Sequence, residues 1–93
     1  MIKSFRSKEA EKLWNRQRSS KLPANIQSKC RDKLALVDAA IQIDDLRFPP
    51  GNRLEALSGH RSGQHSIRIN QQWRICFRWE AGNAYDIDIV DYH

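Results

Sequence analysis

The apolar pattern of this sequence changes its period at the segment Phe48–Asn52, which contains two prolines and a glycine. Because proline lacks a backbone donor and glycine favours a turn, the segment continues neither a helix nor the interior of a sheet. Before it, apolar residues recur at the three- and four-residue spacing of amphipathic helices. After it, they alternate with polar residues, as in strands. The chain is therefore predicted to place its helices first and its strands second.

Two helices are predicted before this segment. The first is capped by Ser7 and runs to about Arg18, and the second begins near Pro23. Because the connection between them is short, we expect an antiparallel helix hairpin. The second helix has the clearest pattern, with steps of four, four, three and four residues in its apolar stripe: Ile26, Cys30, Leu34, Val37 and Ile41.

Alternation after the proline segment predicts an antiparallel meander. One apolar face on the helices and one on the sheet predict an α+β fold, in which the helix hairpin covers one side of the sheet. The opposite side of the sheet is expected to be polar. The predicted strands cover 1–6, 53–57, 65–70, 73–80 and a last segment in which Tyr85, Ile87 and Ile89 share a face.

The charge balance favours an anionic partner. The chain holds 16 Lys and Arg against 11 Asp and Glu, a formal net charge of +5. Most of the excess lies in residues 1–33, with 10 basic and 3 acidic residues. Positive charge of this kind steers polyanions toward a protein, so nucleic acid is the leading candidate class. An acidic protein that meets the basic helix faces is the alternative.

Length, hydropathy and cysteine spacing narrow the class of protein. A chain of 93 residues is expected to form one small domain over 1–93. No apolar run approaches the ~18 residues of a membrane span, and no export signal is visible, so we expect no membrane partner. Cys30 and Cys76 lie far apart, and His60 and His65 lack a fixed third partner, so no disulfide framework, metal site or cofactor is predicted. A reducing cytoplasmic location fits this cysteine usage.

Arginines mark the polar face of the predicted sheet. A hairpin centred near Gln71 brings Arg68 opposite Arg74, with Arg78 further along the same face. Clustered guanidinium groups repel one another and offer bidentate donors to phosphate, so an RNA or DNA backbone would relieve the repulsion. The alternative is that these arginines pair with nearby carboxylates: Glu80, Asp86, Asp88 and Asp91.

The C-terminal run Asp91-Tyr92-His93 places a carboxylate, a phenol and an imidazole at the end of the last strand. RNA can be cut without a metal if a base takes the proton of the 2′-hydroxyl, cations hold the scissile phosphate and an acid protonates the leaving 5′-oxygen. A histidine, which titrates near ~6.5, suits either proton transfer. A frayed terminus without chemistry is the alternative.

A loop at 58–63 adds His60 and Arg61 between two glycines, where they can approach a phosphate. The loop lacks the length and the lysine of a nucleotide-binding P-loop, so ATP binding is not expected.

These features together resemble the HigB-type toxins of the RelE/ParE superfamily, and the likeness spans essentially the whole chain. The resemblance implies a RelE/ParE-like fold of two N-terminal helices packed on one face of a curved antiparallel sheet. It is closer to the branch that includes the toxin GraT, judging by 49–57 and 63–67. The family likeness is carried by the helix hairpin and by the stretches 1–6, 53–63, 70–77 and 90–93.

The resemblance also implies a function. Such toxins belong to type II toxin–antitoxin systems and are ribosome-dependent endoribonucleases, which cleave mRNA in the decoding site without a metal and so inhibit translation. The implied partners are the 70S ribosome, mRNA and a helix-turn-helix antitoxin of the HigA type, through which the toxin reaches operator DNA. Two alternatives stay open: a ParE-like toxin that poisons DNA gyrase, and a catalytically weak regulator that binds RNA or the ribosome.

Residue by residue, the resemblance assigns catalytic positions to Asp91, Tyr92 and His93. It also matches Arg74 to an arginine that stabilises the scissile phosphate, and Arg61 to a basic loop position that holds RNA backbone. The candidate RNA-binding residues are Arg61, Arg68, His60 and Arg78.

Three positions depart from the founding members of the family. Ser58 stands in place of a functional lysine, Glu55 in place of a catalytic histidine and Asn70 in place of an arginine. Arg68 and His60 are the candidates to compensate.

Overall fold

The computed structural model describes residues 1–91, which form two helices and a four-stranded antiparallel sheet. The strands follow one another in chain order across the sheet, so the predicted meander and the α+β class are confirmed. The elements are α1 (Lys8–Trp14), α2 (Ala24–Ala39), β1 (Glu55–Ala56), β2 (Gln64–Arg68), β3 (Trp73–Glu80) and β4 (Asn83–Asp91), with short 3-10 turns at Ile43–Arg47, Pro50–Asn52 and Gly59–Arg61.

Helix α1 is shorter than the sequence predicts. It begins as expected, with the hydroxyl of Ser7 accepting a hydrogen bond from the Ala10 amide at 3.1 Å. It ends at Trp14, whereas the prediction extended it to Arg18. The cause is the backbone of Arg16, which adopts the left-handed region at φ 60° and cannot continue the helix.

Helix α2 follows Pro23, and four of the five predicted stripe residues are buried in the core. The prediction is wrong for the fifth, Ile41, whose side chain is 78% exposed. The helix ends at Ala39, and Ala40 takes an extended conformation, so Ile41 no longer follows the helical period.

A bulge in β4 shifts the register between the last two strands. Cys76 pairs with Asp88, whereas Arg78 pairs with Tyr85. Two steps along β3 therefore match three steps along β4. Asp86, inside the longer stretch, adopts a left-handed backbone at φ 56°, as expected where an extra residue is inserted.

The bulge changes which side chains face the core. Ala84 and Ile87 are both buried, although three residues separate them. Tyr85 instead lies against the guanidinium of Arg78, with its ring centroid 4.6 Å away. The prediction that Tyr85 shares a face with Ile87 and Ile89 is therefore wrong, because strict alternation does not hold across a bulge.

The predicted edge strands are shortened. Residues 1–6 form two isolated parallel bridges beside β4, from Ile2 to Ala84 and from Phe5 to Ile87. The strand expected over 53–57 reduces to the two residues of β1.

The core lies between the helices and one face of the sheet. Cys30 and Cys76 are buried and free, and burial raises the pKa of Cys30 to about 12. None of the helices in residues 1–91 is long and apolar enough to cross a membrane. The core residues include Leu13, Ile26, Leu34 and Val37 from the helices, and Ile67, Ile75, Phe77, Ile87 and Ile89 from the sheet.

Truncation of Leu34 tests the helix-on-sheet core. Leu34→Ala is expected to lower the free energy of unfolding by about 2–5 kcal/mol, because the fully buried side chain leaves a cavity. Leu36→Ala on the same helix is the matched control, and should cost less than about 1 kcal/mol because Leu36 is 37% exposed. Urea denaturation followed by tryptophan fluorescence measures both, and equal losses would contradict this packing.

His65 predicts a pH dependence of stability. It stacks on Phe77 on the core face, and its Nδ1 is buried without a partner among the described residues. Burial lowers the pKa of His65 below its ordinary 6.5, so the unfolded chain binds the proton more readily than the folded protein. The stabilisation by neutral His65 is complete above pH 6.5, the pKa of the unfolded chain. It is lost as the pH falls through the lower pKa of His65 in the folded protein. His65→Phe should flatten this dependence in denaturation curves measured from about pH 7 to 5. A variant that keeps the wild-type slope would contradict this role.

Candidate active site

The polar face of the sheet is assembled by the strand register. Arg68 lies opposite Arg74, which in turn lies opposite Val90, so the predicted pairing of the two arginines is confirmed. In the next row of the same face, Ser66 pairs with Cys76.

Arg74 lies at the centre of this face and is only 7% exposed. Its Nε donates to the hydroxyl of Ser66 at 2.8 Å, and its Nη2 donates to the carbonyl of Arg53 at 2.6 Å. Nη2 also lies 3.3 Å from the Ser66 carbonyl and 3.5 Å from a carboxylate oxygen of Glu55. A buried guanidinium needs such partners, because removing its charge from water is costly. The contacts fix Arg74 as a rigid positive group.

The local backbone explains these contacts. Arg53 adopts a left-handed conformation at φ 45°, and its carbonyl accepts from Arg74. Immediately after it, β1 pairs Glu55 with Ser66, which brings the carboxylate to the guanidinium. The short β1 strand thus supplies the acidic partner of Arg74.

A pocket of about 300 Å³ opens beside β1. It brings together the carboxylate of Glu55, the imidazole of His60 and the guanidinium of Arg61. Ser58 lines the same pocket. The pocket therefore lies between the loop that carries His60 and Arg61, which is predicted to approach phosphate, and Glu55, the ion-pair partner of Arg74.

Arg61 is half-buried and already engaged. Its Nη1 donates to Oε1 of Gln64 at 3.1 Å, and its Nη2 lies 3.5 Å from Oδ2 of Asp88. Asp88, one of the carboxylates expected to pair with Arg68, Arg74 or Arg78, thus pairs with Arg61 instead.

Arg78 is engaged more strongly. It forms ion pairs with Glu80 and with Asp86, the latter at 3.4 Å, and lies over the ring of Tyr85. The hydrogen bond that Arg78 donates to the carboxylate of Glu80 is the main cause that raises the pKa of Arg78 above its ordinary value. A phosphate at this position must displace or share these partners.

Arg68 differs from the other arginines. Its Nε donates to the Asn70 carbonyl at 3.0 Å, and no carboxylate within residues 1–91 forms an ion pair with it. Asn70 is a turn residue here, because its Oδ1 accepts from the amides of Gln72 and Trp73, each at 2.8 Å. Asn70 thus closes the β2–β3 hairpin.

The C-terminal run is described only as far as Asp91. Asp91 pairs with Trp73, and its Oδ2 accepts from Nε2 of Gln72 at 3.1 Å. The end of β4 therefore runs alongside the part of β3 that carries Arg74. Tyr92 and His93, predicted to be catalytic, lie outside the described residues.

The arrangement combines a fixed cation with proton-handling groups on an open surface. Arg74 can stabilise a phosphate whose charge increases during reaction, and the pocket at Glu55 and His60 provides a carboxylate and an imidazole. Within residues 1–91, no three or more His, Cys, Asp and Glu side chains are arranged to hold a metal ion.

Sequence reasoning did not identify the groups that hold Arg74. Ser66 was detectable, since strand alternation places it on the arginine face. The Arg53 carbonyl and the Glu55 carboxylate were not, because their approach depends on a left-handed turn and a two-residue strand.

Comparison with known proteins assigns the family. The family model described as "RelE-like toxin of type II toxin-antitoxin system HigB" matches residues 3–93. The chain is 40% identical over 85 residues to Toxin HigB-1 of Vibrio cholerae, covering 90% of each chain. It is 36% identical over 93 residues to Endoribonuclease HigB of Proteus vulgaris, covering 100% of each.

A solved structure supports the fold. The chain resembles one chain of the YoeB-YefM complex from Staphylococcus aureus with a TM-score of 0.57 and 19% identity, covering 100% of this chain and 98% of that one. By its sequence relatives and the family match, the chain belongs to the HigB-like toxins, the RelE-like toxins of type II toxin–antitoxin systems.

Proposed function

We propose that this toxin is a ribosome-dependent endoribonuclease that cleaves mRNA in the decoding site and thereby inhibits translation. The observation that carries the proposal is the buried guanidinium of Arg74, fixed by Ser66, Arg53 and Glu55 next to the end of β4. Such a group stabilises the charge that develops on a phosphate under attack, because its orientation is set before the substrate binds. The Proteus vulgaris relative, which is named an endoribonuclease, supports the same reaction class.

The proposed reaction is transfer of the scissile phosphate within the RNA. A base removes the proton of the 2′-hydroxyl, whose oxygen forms a bond to phosphorus. The bond to the 5′-oxygen breaks, and an acid gives that oxygen a proton. No redox step and no further reactant are needed. The products are a 2′,3′-cyclic phosphate and a free 5′-hydroxyl.

The chain offers candidates for each part. Asp91 or His93 acts as the base, and the other residue or Tyr92 acts as the acid. Arg74 stabilises the charge on the phosphate, and Arg61 holds the RNA backbone beside it.

His60, Arg68 and Arg78 complete the proposed RNA-binding set. His60 is exposed in the pocket that contains Glu55 and can contact RNA there. Arg68 lies opposite Arg74 without an acidic partner among residues 1–91, so it is the most available of the three for phosphate.

The proposed partners follow from the family. A helix-turn-helix antitoxin of the HigA type neutralises the toxin and connects it to operator DNA. The 70S ribosome and mRNA are the targets, which places the activity in the cytoplasm. Membership of a type II toxin–antitoxin family supports the antitoxin partner.

Cleavage mapping in a purified translation system tests the function. Wild-type toxin is expected to cut mRNA only when ribosomes are present. His93→Gln should slow cleavage by roughly 10²- to 10⁴-fold, because it removes a group that transfers a proton. The 5′ ends of the fragments are mapped by primer extension.

The other outcomes are also decisive. Cuts that persist at the wild-type rate in His93→Gln would exclude His93 from proton transfer and leave Asp91 and Tyr92. An absence of cuts under every condition would reject the endoribonuclease proposal, and a gyrase supercoiling assay would then test the alternative.

A pair of arginine variants tests the site. Arg74→Ala should slow cleavage by about 10²- to 10³-fold, since it removes a positioned donor to the phosphate. Arg78→Ala on the same face should cost less than about tenfold, because Glu80 and Asp86 already neutralise that residue. Circular dichroism and thermal unfolding identify any variant that fails to fold. Equal losses in two folded variants would contradict the central role of Arg74.

A further inference from the structure

Positive charge on this molecule is neutralised unevenly. Arg61, Arg74 and Arg78 each form an ion pair with a carboxylate. Among the cations that form no ion pair with a carboxylate in the described part of the chain, four lie close to the β2–β3 turn. They are Lys29 and Lys33 on α2, Arg53 before β1 and Arg68 at the end of β2.

These four cations surround the β2–β3 turn. One cleft of about 340 Å³ lies between this turn and α2, and a second of about 410 Å³ lies on the side toward Arg74. Both clefts contain Arg68, Asn70 and Gln71, so they meet at the turn. We name the two together the turn cleft. Its remaining lining residues are Lys29, Lys33, Gly51, Ile69, Arg53 and Arg74.

The composition of the turn cleft selects the kind of ligand. No Asp or Glu of the described chain lines it, and neither does an aromatic residue. Aromatic side chains stack on bases, whereas lysine and arginine contact phosphates. The cleft is therefore suited to a phosphate backbone and not to recognition of particular bases.

The lysines on α2 give independent support. Lys29 and Lys33 are one helical turn apart, where like charges destabilise each other. Partial burial and the charge of Lys29 lower the pKa of Lys33, and the neighbouring Asp32 offsets this only in part. The ammonium of Lys33 donates to Oδ1 of the buried Asn52, which holds it at the cleft. A bound anion would relieve this repulsion.

We propose that the turn cleft binds phosphates of the mRNA strand that flank the cleaved bond. The substrate strand is the occupant because Arg74, the proposed contact to the scissile phosphate, lines the cleft together with Arg53 and Arg68. One backbone can then pass from Arg74 over the β2–β3 turn to Lys29 and Lys33. This proposal rests on the proposed endoribonuclease function and adds a sequence-independent subsite to it.

A triple variant tests the turn cleft. Lys29→Ala, Arg53→Ala and Arg68→Ala are combined, while Lys33 is kept because it bonds the buried Asn52. The matched control combines three exposed cations that lie before or at the start of α1 and have no ion pair among the described residues: Lys3→Ala, Arg6→Ala and Lys8→Ala. Both variants lose the same charge, and thermal unfolding checks that both fold.

The probe is a 12-nucleotide single-stranded RNA with 2′-O-methyl groups, which lacks the attacking hydroxyl and stays intact. Its affinity is measured at several salt concentrations. Loss of three phosphate contacts should reduce the slope of log K against log salt by about 2, with roughly tenfold or greater weakening at low salt. The control should keep the wild-type slope. Equal slopes in the turn-cleft variant and the wild type, equal losses in both variants, or no measurable wild-type binding would each overturn the proposal.

A second experiment tests whether the turn cleft binds mRNA or ribosomal RNA. The variants bind 70S ribosomes that carry the 2′-O-methyl RNA as mRNA, and ribosomes without mRNA. We expect the turn-cleft variant to lose the additional affinity for programmed ribosomes. An equal loss on empty ribosomes would assign the cleft to ribosomal RNA and overturn the proposal. Cleavage is measured separately, so cleft-dependent binding without cleavage by the wild type rejects the endoribonuclease function alone.

Discussion

The buried charge of Arg74 constrains the polar half of this structure. Moving a guanidinium out of water costs several kcal/mol unless hydrogen bonds and an opposite charge replace the lost hydration. Ser66 on β2, the carbonyl of Arg53 and the carboxylate of Glu55 supply that replacement. The left-handed backbone of Arg53, which costs about 1–3 kcal/mol by itself, is retained because it delivers this carbonyl. One cation thus ties the short β1 strand and the preceding turn to the centre of the sheet.

The ion pairs of the arginines at the candidate site affect the geometry of these side chains and their attraction for an anion in different ways. Arg74, Arg61 and Arg78 are held by carboxylates, so their geometry is defined but their long-range field is reduced. Four of the cations that have no ion pair within residues 1–91 line the turn cleft: Lys29, Lys33, Arg53 and Arg68. These cations can attract a polyanion to the turn, next to the rigid guanidinium that we propose acts on one phosphate. In the proposed function, attraction and positioning are therefore assigned to neighbouring but different residues.

The sequence predicts the elements and the strand register that depend on hydrophobic periodicity. It does not predict the helix end, the bulge or the contacts that depend on the backbone angles of single residues. Alternation and a short turn were enough to place Arg68 opposite Arg74. The early end of α1 at Trp14, before the left-handed Arg16, and the bulge at Asp86 were not predicted, since non-glycine residues in left-handed conformations leave no trace in hydropathy. The ion pair of Arg74 with Glu55 was also missed. It joins positions 19 residues apart through a two-residue strand, too short for a recognisable pattern.

Glu55 has a consequence for substrate binding at Arg74. A phosphate that approaches the guanidinium meets the carboxylate already there, and two anions around one cation repel each other. The Glu55 side chain is 50% exposed and can turn into water, and the incoming phosphate then replaces its negative charge beside the buried guanidinium. The hydrogen bonds to Ser66 and to the Arg53 carbonyl are not displaced and keep Arg74 in place. Glu55 can therefore balance the buried charge before RNA binds and move away when a phosphate replaces it. A carboxylate buried as deeply as Arg74 could not turn into water in this way.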